Sequence, residues 1–357
     1  MKSFKSRECG GLRSLFGKKK NKKVKLFHST TNDPYFNLAT ENYLLHHAKL
    51  PEQTLYLWQN APVIVIGVHQ NPWRECHVNK LQEDDIFLAR RTSGGGCVFH
   101  DLGNTNFTFL SKKSEYNKEN NNSIILTALN DRFGLKGEAS GRNDLLIDGK
   151  KFSGAAFKEA RDRAFHHGTL LIDVDLQHMS SYLTPSKKKL ESKATKSVKA
   201  RVVNLHSLNP EVTHETLTKA IEDEFQRFYG EETEVEMLQN GVLEKIPELM
   251  SLYHNQRDWN WIFGKTPAFA HKLETRFDWG EVVMHVVANG GVIKELKVYS
   301  DCLSLALPGL IEGALSGCAY DADAITKRLM CLATDYKDLK GNIIDVADFI
   351  AESIKEL

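Results

Sequence analysis

The feature that most constrains this chain is a run of three consecutive glycines, Gly94–Gly96, set between two short apolar, strand-like segments. Arg90 and Arg91 precede it, and His100 and Asp101 follow it. Glycine lets the backbone adopt positive φ and pass close to a bound group, and successive N–H groups in such a turn form a concavity for an anion. The arginines can add charge-assisted contacts to a phosphate or a carboxylate. We therefore predict a ligand-binding loop rather than a plain hairpin turn flanked by surface arginines.

A second cluster lies on either side of Asp148-Gly149, which is a strong two-residue hairpin signal. If Lys151 points into the same pocket as the glycine loop, its ammonium can stabilise an acyl carbonyl and an α-phosphate together. The neighbouring Lys150 is predicted to be an ordinary exposed charge. Asp144 is predicted either to hold Mg²⁺ beside a phosphate, because such sites use one or two carboxylates and phosphate oxygens, or only to cap the turn.

Two adjacent histidines, His166 and His167, begin the run His-His-Gly-Thr-Leu-Leu. Neighbouring positions on a strand point to opposite faces of the sheet, so one metal ion is not expected to bind both. We predict that His167 lines or supports the pocket and that His166 points outward. A purely structural histidine remains the alternative.

The segment Thr184–Val202 shows no periodicity, and a loop of this length is usually either functional or disordered. Between residues 187 and 202 it carries seven Lys or Arg residues against one acid, Glu191. We favour an electrostatic lid that closes over a nucleotide. A nucleic-acid surface and a solvated face are the alternatives, and the first of these lacks the interleaved aromatic residues that stack on bases.

Composition limits the class of protein. A length of 357 residues suggests two domains, at about 100–200 residues each. No run approaches the ~18 apolar residues of a membrane span, so no membrane association is predicted. The six cysteines are scattered and form no CxxC pair, which favours a reducing compartment over a disulfide framework.

The N-terminal extension, residues 1–23, is strongly basic. Residues 1–25 contain ten Lys or Arg residues and a single acid, Glu8. A basic, acid-poor segment with interspersed apolar residues is typical of a mitochondrial presequence, although such segments favour Arg and this one is mostly Lys. A disordered basic tail fits equally well. The predicted location is the mitochondrial matrix, with the cytoplasm as the alternative.

Periodicity and turn residues predict an α+β chain. The predicted strands are Thr54–Trp58, Val63–Gly67, Asp85–Arg91, Cys97–Phe99, Asn106–Leu110, Asp144–Ile147, Lys151–Phe157, His167–Ile172, Leu273–Trp279, Val282–Ala288 and Val292–Tyr299. The predicted helices are Asn37–Leu50, Ser123–Arg132, Thr213–Tyr229, Leu303–Gly313, Ala322–Leu332 and Ile344–Ile354.

Taken together, four motifs resemble the lipoate–protein ligase A and lipoyltransferase family in both order and spacing. They are Arg-Arg-x-Ser-Gly-Gly-Gly-x-Val-x-His-Asp-x-Gly-Asn from Arg90, Gly-Arg-Asn-Asp from Gly141, Lys-x-Ser-Gly from Lys151, and His-His-Gly-Thr-Leu-Leu from His166. The resemblance covers roughly residues 24–357. It implies a large mixed-sheet catalytic domain related to biotin ligases, residues 24–262, and a small α/β C-terminal domain, residues 270–357.

The resemblance also implies a reaction. Lipoate and ATP, with Mg²⁺, give lipoyl-AMP, and the lipoyl group then passes to one lysine of a lipoyl domain. The implied acceptors are the E2 subunits of 2-oxoacid dehydrogenases and the glycine cleavage H protein, and the implied state is a monomer. Neither nucleic acid nor membrane is an expected partner.

Residue roles follow from the same resemblance. Lys151 matches the essential lysine. The loop that covers the acyl-adenylate is matched by Arg91, Ser93, Gly94, Gly95 and Gly96, and the backbone segment beside it by Cys97, Val98, Phe99 and His100. The pocket positions are matched by Asn143, Asp144 and His167. The adenylate-binding loop is matched by residues 193–202, which include Ser197 and Arg201. Cys97 is not expected to be a covalent catalyst, because the acceptor lysine can attack the adenylate directly.

Other functions stay open at this stage. The run Asn71–Cys76 is similar to animal mitochondrial lipoyltransferases, which take lipoyl from a preformed adenylate or a lipoylated protein without an activation step. We favour a complete ligase because the nucleotide-loop residues are present. A biotin or octanoyl transferase would differ only in its acyl group, and a basic nucleic-acid-binding protein is the alternative from another class.

Overall fold

The computed structural model describes residues 23–141, 143–183, 202–266, 269–300, 302, 304 and 306–355. Within these ranges the chain forms 14 strands. They are β1 Val24–Ser29, β2 Gln53–Gln59, β3 Val63–Ile66, β4 Phe87–Arg90, β5 Val98–His100, β6 Asn104–Lys112, β7 Glu138–Ser140, β8 Asp144–Ile147, β9 Lys150–Glu159, β10 Arg163–Leu171, β11 Val235–Leu238, β12 Phe269–Phe277, β13 Gly280–Asn289 and β14 Val292–Ser300.

The α-helices of the same ranges alternate with these strands. They are α1 Pro34–His46, α2 Pro72–Glu75, α3 Val78–Glu83, α4 Lys118–Phe133, α5 Leu176–Tyr182, α6 His214–Tyr229, α7 Pro247–Arg257, α8 Trp259–Ile262, α9 Leu307–Leu315, α10 Ala322–Asp335 and α11 Lys340–Lys355. The α+β class predicted from the sequence is confirmed.

The frame of the molecule is an eight-stranded mixed sheet in the order β11-β1-β2-β6-β10-β9-β8-β7. Helices α4 and α6 cover one face through a core that includes Ile124, Leu129 and Phe225. Helices α1 and α7 cover the other face together with part of a second sheet. Burial on both faces explains why β6 is inaccessible along almost its whole length.

The second sheet has three strands in the order β4-β3-β5. Its central strand, Val63–Ile66, is entirely apolar and buried. β4 runs parallel and β5 antiparallel to it, so the connection between them must cross the end of β3. That connection contains the triglycine run, which this topology holds between the two sheets.

Local signals set the helix ends. Helix α1 has Pro34 in its first turn, and the Asp33 side chain accepts hydrogen bonds from the N–H groups of Tyr35 and Phe36. Helix α6 begins with a reciprocal capping box between Thr213 and Thr216 and ends at a left-handed glycine. Helix α1 ends at His46, before the predicted Leu50.

The C-terminal domain, of which residues 269–300, 302, 304 and 306–355 are described, is an antiparallel sheet β12-β13-β14 covered by α9, α10 and α11. Strand β13 alternates buried and exposed residues, as a sheet with one covered face should. The small α/β unit predicted at this end is confirmed. Its core continues into the catalytic part, where the Trp73 ring lies 5.6 Å from that of Tyr320.

Each predicted strand and helix has a counterpart in the structure, with shifted ends. Several elements were not predicted, among them β1, β11 and α7, which are short or lack a clear period. Residues 1–22 and 184–201 lie outside the described residues, and with them the predicted presequence, Ser197 and Arg201.

Candidate active site

The glycine loop is shaped by Arg91, whose side chain is buried beneath it. The Nε atom of Arg91 donates to Ser93 Oγ and the Gly94 carbonyl, both at 3.1 Å. Its Nη2 atom donates to the carbonyls of Gly94 and Gly96, both at 2.7 Å. Because three hydrogen bonds from one guanidinium end on carbonyl oxygens of the loop, the loop is held in one shape. The partners of the Arg91 guanidinium in this structure are main-chain carbonyls and the Ser93 hydroxyl.

A close backbone contact fixes the loop from outside. A Cβ atom placed on Gly67, at the end of β3, would lie 2.3 Å from the Gly95 carbonyl oxygen. Gly95 itself has φ of 93°, a conformation that favours glycine. Val68 donates its N–H to the Ser93 carbonyl at 3.0 Å. Only glycine fits at positions 67 and 95, while the loop glycines 94, 95 and 96 remain exposed.

A buried hydrogen-bond chain ties the loop to the large sheet and to α1. Ser93 Oγ lies 2.8 Å from His167 Nε2, and His167 Nδ1 lies 2.7 Å from Glu41 Oε1. Thr108 donates to the same Glu41 oxygen at 2.7 Å, and Trp58 donates to Thr108 at 3.1 Å. This chain of bonds places His167 directly against Ser93 of the glycine loop. Glu41, Thr108 and Trp58 were missed from the sequence.

One sequence signal could have revealed Glu41. It lies on α1 among apolar residues that are buried, such as Leu38, Leu44 and Leu45, and is itself 1% exposed. An acid on the buried side of a helix needs a partner, because an unpaired buried charge is costly. The partner, His167, is 126 residues away in sequence, so it could not be inferred from helical spacing.

His100, which ends β5, is fully buried near the same loop. Burial, with smaller contributions from the charges of Arg91 and His167, lowers its pKa to about 3. Its Nδ1 atom lies 3.2 Å from Asn60 Nδ2, which makes it an acceptor from that amide. A neutral His100 therefore supports the strand that follows the loop. Val98 and Cys97 are half-buried and Phe99 is buried.

Lys151 reaches the site because of a β-bulge. The register of β8 against β9 pairs Leu145 with Ser153 but Leu146 with Lys151, so Phe152 is the extra residue. A bulge shifts the side-chain alternation by one position. It turns Lys151 to the face that carries Gly154 and Ala156, while Phe152 is buried.

The space beside two glycines supports this arrangement. A Cβ atom on Gly154 would lie 2.7 Å from Lys151 Nζ, so the amine lies against Gly154. A Cβ atom on Gly95 would lie 3.8 Å from the Cβ of Ala156, so the triglycine loop lies over the same face of β9. Ala156 is also the cross-strand neighbour of His167. Because residues two apart on a strand are only ~7 Å apart, the Lys151 amine, the triglycine loop and His167 share one surface. Lys150 is exposed, as predicted.

Two side chains that carry oxygen atoms lie beside the Lys151 amine. Asp144 Oδ1 is 2.7 Å from Lys151 Nζ, and each side chain is about one-third exposed. The adjacent Asn143 is exposed and donates its side-chain N–H to the Ala155 carbonyl, which leaves its amide oxygen for another partner. Within the described ranges no three His, Cys, Asp or Glu residues cluster as a metal centre.

The described end of the basic segment also meets Lys151. Val203 donates its N–H to the Lys151 carbonyl at 2.9 Å, and Val202 forms a parallel bridge with Lys151. Val202, the last residue of the predicted adenylate-binding loop 193–202, therefore lies directly beside the lysine, and residues 193–201 lie outside the described residues.

His166 is not outward-pointing, and that prediction was wrong. It is 0% exposed and lies in an aromatic cluster, with the Phe157 ring centroid at 4.8 Å and that of Phe107 at 5.4 Å. Burial lowers its pKa to about 3. The error arose because the sheet face opposite His167 is covered by α4 and α6 rather than by solvent.

The distances among Ser93, His167 and Glu41 are those of a hydrolase triad, but the serine is not presented as a nucleophile. Ser93 is 1% exposed, and its oxygen already accepts a hydrogen bond from Arg91. A nucleophilic serine must have a free approach to an acyl carbon. The three residues therefore hold the loop in place instead of attacking a substrate.

Comparison with protein families identifies this arrangement. Residues 33–226 match the lipoyl protein ligase A/B catalytic domain, and residues 266–351 match the bacterial lipoate protein ligase C-terminus. The chain belongs to the lipoyl protein ligase A/B family. The enzyme class predicted from the four motifs, lipoate–protein ligase, is confirmed.

Relatives in this family match nearly the whole chain. The lipoate–protein ligase A of Psychrobacter cryohalolentis is 43% identical over 92% of this chain and 98% of its own. That of Bdellovibrio bacteriovorus is 44% identical over 93% and 99%. The structure of Plasmodium falciparum LipL1 in complex with lipoate has a TM-score of 0.62 at 32% identity, covering 90% of this chain and 99% of that one.

A lipoate–protein ligase A bound with ATP shares the fold, with a TM-score of 0.54 at 20% identity over 67% of this chain and 95% of that one. The two curated relatives are bacterial, so they give no support to the mitochondrial location that we predicted. None of the helices in the described ranges has the length and apolar character that a membrane-spanning helix needs.

Proposed function

We propose that this enzyme activates lipoate with ATP to form lipoyl-AMP and then transfers the lipoyl group to the lysine of an acceptor lipoyl domain. The observation that carries the proposal is the placement of the Lys151 amine on the same sheet face as the triglycine loop and His167. An ammonium and a set of exposed loop amides on one surface suit a mixed anhydride of a carboxylic acid and a phosphate.

The chemistry accounts for these groups. A free carboxylate is a poor acyl donor, whereas an adenylate has a good leaving group. Attack of lipoate on the α-phosphate of ATP forms the anhydride and releases pyrophosphate. Attack of the acceptor ε-amine on the acyl carbon then forms the amide and releases AMP. Lys151 stabilises the negative charge that develops on the phosphate and the acyl oxygen in both steps.

Asp144 is the residue that would hold Mg²⁺, with the adjacent Asn143 as a further oxygen donor. One carboxylate together with nucleotide phosphates is a sufficient ligand set for this ion, and Asp144, whose side chain is about one-third exposed, fits it. Bound there, Mg²⁺ would neutralise phosphate charge. If the Asp144 carboxylate bound Mg²⁺ instead of Lys151, the Lys151 ammonium would be available to the acyl-phosphate.

We propose the lipoyl domains of 2-oxoacid dehydrogenase E2 subunits and the glycine cleavage H protein as acceptors, with the enzyme acting as a monomer. The roles of Arg91, Ser93, Cys97, Val98, Phe99, His100, Ser197 and Arg201 in binding the adenylate remain part of this proposal. The near-complete coverage of two relatives named lipoate–protein ligase A supports a complete ligase over a transferase without an activation step.

The deciding experiment measures pyrophosphate release from ATP with lipoate or octanoate, followed by acylation of a purified lipoyl domain. Pyrophosphate release that requires lipoate, followed by an acylated lysine, supports the ligase. Acylation from supplied lipoyl-AMP without any pyrophosphate release from ATP would assign the transferase alternative. A much higher kcat/KM with octanoate would assign the octanoyl class instead.

A further inference from the structure

Arg90, the residue before the loop-shaping Arg91, has no role in the reaction proposed above. Its side chain is 0% exposed, and burial lowers its pKa to about 10. Among the described residues its hydrogen bonds go to main-chain carbonyls and one hydroxyl, and no carboxylate pairs with it. Burial of a cation is costly unless it is hydrogen-bonded, so the partners of this guanidinium are what keeps it inside the protein.

The guanidinium joins two segments that are distant in sequence. On one side, Nη1 donates to the carbonyls of Gly67, Val68 and Gln70 at 3.2, 3.0 and 2.7 Å. On the other side, Nε donates to the Ile262 carbonyl at 2.8 Å, and Nη2 donates to the same carbonyl and to Thr266 Oγ1.

The first segment, the turn at residues 67–70, contacts the triglycine loop. Gly67 has no room for a Cβ atom against the Gly95 carbonyl, and Val68 donates to the Ser93 carbonyl. The Gln70 side chain accepts from the Gly67 N–H at 2.8 Å, which closes the turn. Any shift of this turn is therefore transmitted to the loop by direct contact.

The second segment, residues 259–266, leads into the C-terminal domain. We call residues 259–266 the linker. The indole N–H of Trp261 donates to the Arg90 carbonyl at 2.8 Å, so the linker binds the main chain of Arg90 as well as its side chain. At its far end, the Thr266 carbonyl accepts from the Gly290 N–H at 3.2 Å, and Gly291 packs against Trp259 and Phe263. The linker is thus bonded both to Arg90 and to the β13–β14 turn.

We propose that Arg90 is a positioning residue that couples the seating of the C-terminal domain to the shape of the triglycine loop, and so to formation of the adenylate. This inference rests on the proposed function for its catalytic readout. The fork of donors on a guanidinium lets one side chain bind both segments at once, which the three donors of a lysine ammonium cannot reproduce in the same geometry.

The test compares two neighbouring positions of α8. Trp261→Phe removes the indole hydrogen bonds to the Arg90 carbonyl and to Gln256 Oε1, whereas Asn260→Ala changes an exposed side chain of the same helix. We expect Trp261→Phe to lower kcat for pyrophosphate release about fivefold, the factor that one lost hydrogen bond corresponds to, with KM for lipoate little changed. Hydrogen exchange of the amides in residues 92–97 should become faster in Trp261→Phe and stay unchanged in Asn260→Ala.

Equal exchange of the loop amides in the two variants would overturn the coupling, as would a loss of kcat in Asn260→Ala as large as that in Trp261→Phe. Arg90→Lys should produce the same pattern as Trp261→Phe with a larger loss, and the comparison of Trp261→Phe with Asn260→Ala decides the matter if the Arg90 variant fails to fold. Were the native enzyme to release no pyrophosphate, the proposed function would fail, while the exchange measurement would still test the coupling.

Discussion

The Lys151 amine lies 2.7 Å from the Asp144 carboxylate, on opposite strands of the hairpin that turns at Asp148-Gly149. Both side chains are about one-third exposed, so the pair is weak in free energy because solvent screens it. Asp144 therefore holds the ammonium in position without binding it tightly, and an incoming phosphate can replace the carboxylate at little cost.

We expect Lys151→Met to reduce the rate of pyrophosphate release by about 10²–10³-fold, the usual loss when one donor to a developing anion is removed. Lys150→Met provides the control, because it removes an equal charge from the neighbouring, exposed position. Its rate should stay within about twofold of the native enzyme. Comparable losses in both variants would mean that general charge attraction, and not the placement made by the bulge, explains the effect.

Glu41 can be tested by separating its charge from its hydrogen bonds. Its Oε1 atom accepts from both His167 and Thr108, and a glutamine oxygen can keep both. Glu41→Ala leaves two buried partners unsatisfied and should lower the free energy of unfolding by about 2–3 kcal/mol, with a higher KM for lipoate. Glu41→Gln should recover most of that loss. Urea unfolding and initial rates provide the measurements, and equal defects in the two variants would argue against this network.

Gly67→Ala tests the close contact between β3 and the loop. Its methyl group would lie 2.3 Å from the Gly95 carbonyl, so the loop must move and we expect at least a tenfold loss of kcat/KM, about 1.4 kcal/mol in transition-state free energy. The control is Gly241→Ala, where nothing lies within 4 Å of an added Cβ atom. Native kinetics in Gly67→Ala would show that the loop shape does not matter for the reaction.

His166 should make stability depend on pH. Its pKa is lowered from 6.5 to about 3 by burial, so the unfolded chain binds this proton more tightly than the folded one. The histidine therefore costs nothing above about pH 6.5 and destabilises the fold progressively as the pH falls towards 3, by up to about 1.4 kcal/mol per pH unit. His166→Phe fits the surrounding aromatic cluster and should reduce this slope between pH 6 and 4. Parallel stability curves for the two proteins would contradict it.

The sequence predicted the site better at its turns than at its buried contacts. The glycine run, the Asp148-Gly149 hairpin and the exposed Lys150 follow from local rules of backbone geometry and charge. The burial of His166 and the partners of Glu41 do not, because they depend on which helix covers which face of the sheet. The same is true of Arg90, which the sequence predicts to contact an anion but which donates instead to the carbonyls of two distant segments.

What the sequence by itself determined is most of the longer helices and strands and the family, since periodicity, turn residues and four motifs are local properties of the chain. The meeting of those motifs was decided only in the tertiary structure. One extra residue at Phe152 turns Lys151 to the loop side of the sheet, and strand order brings residues 93, 154 and 167 together. Side-chain direction in a strand reverses with each residue, so no reading of spacing could have fixed it without the register.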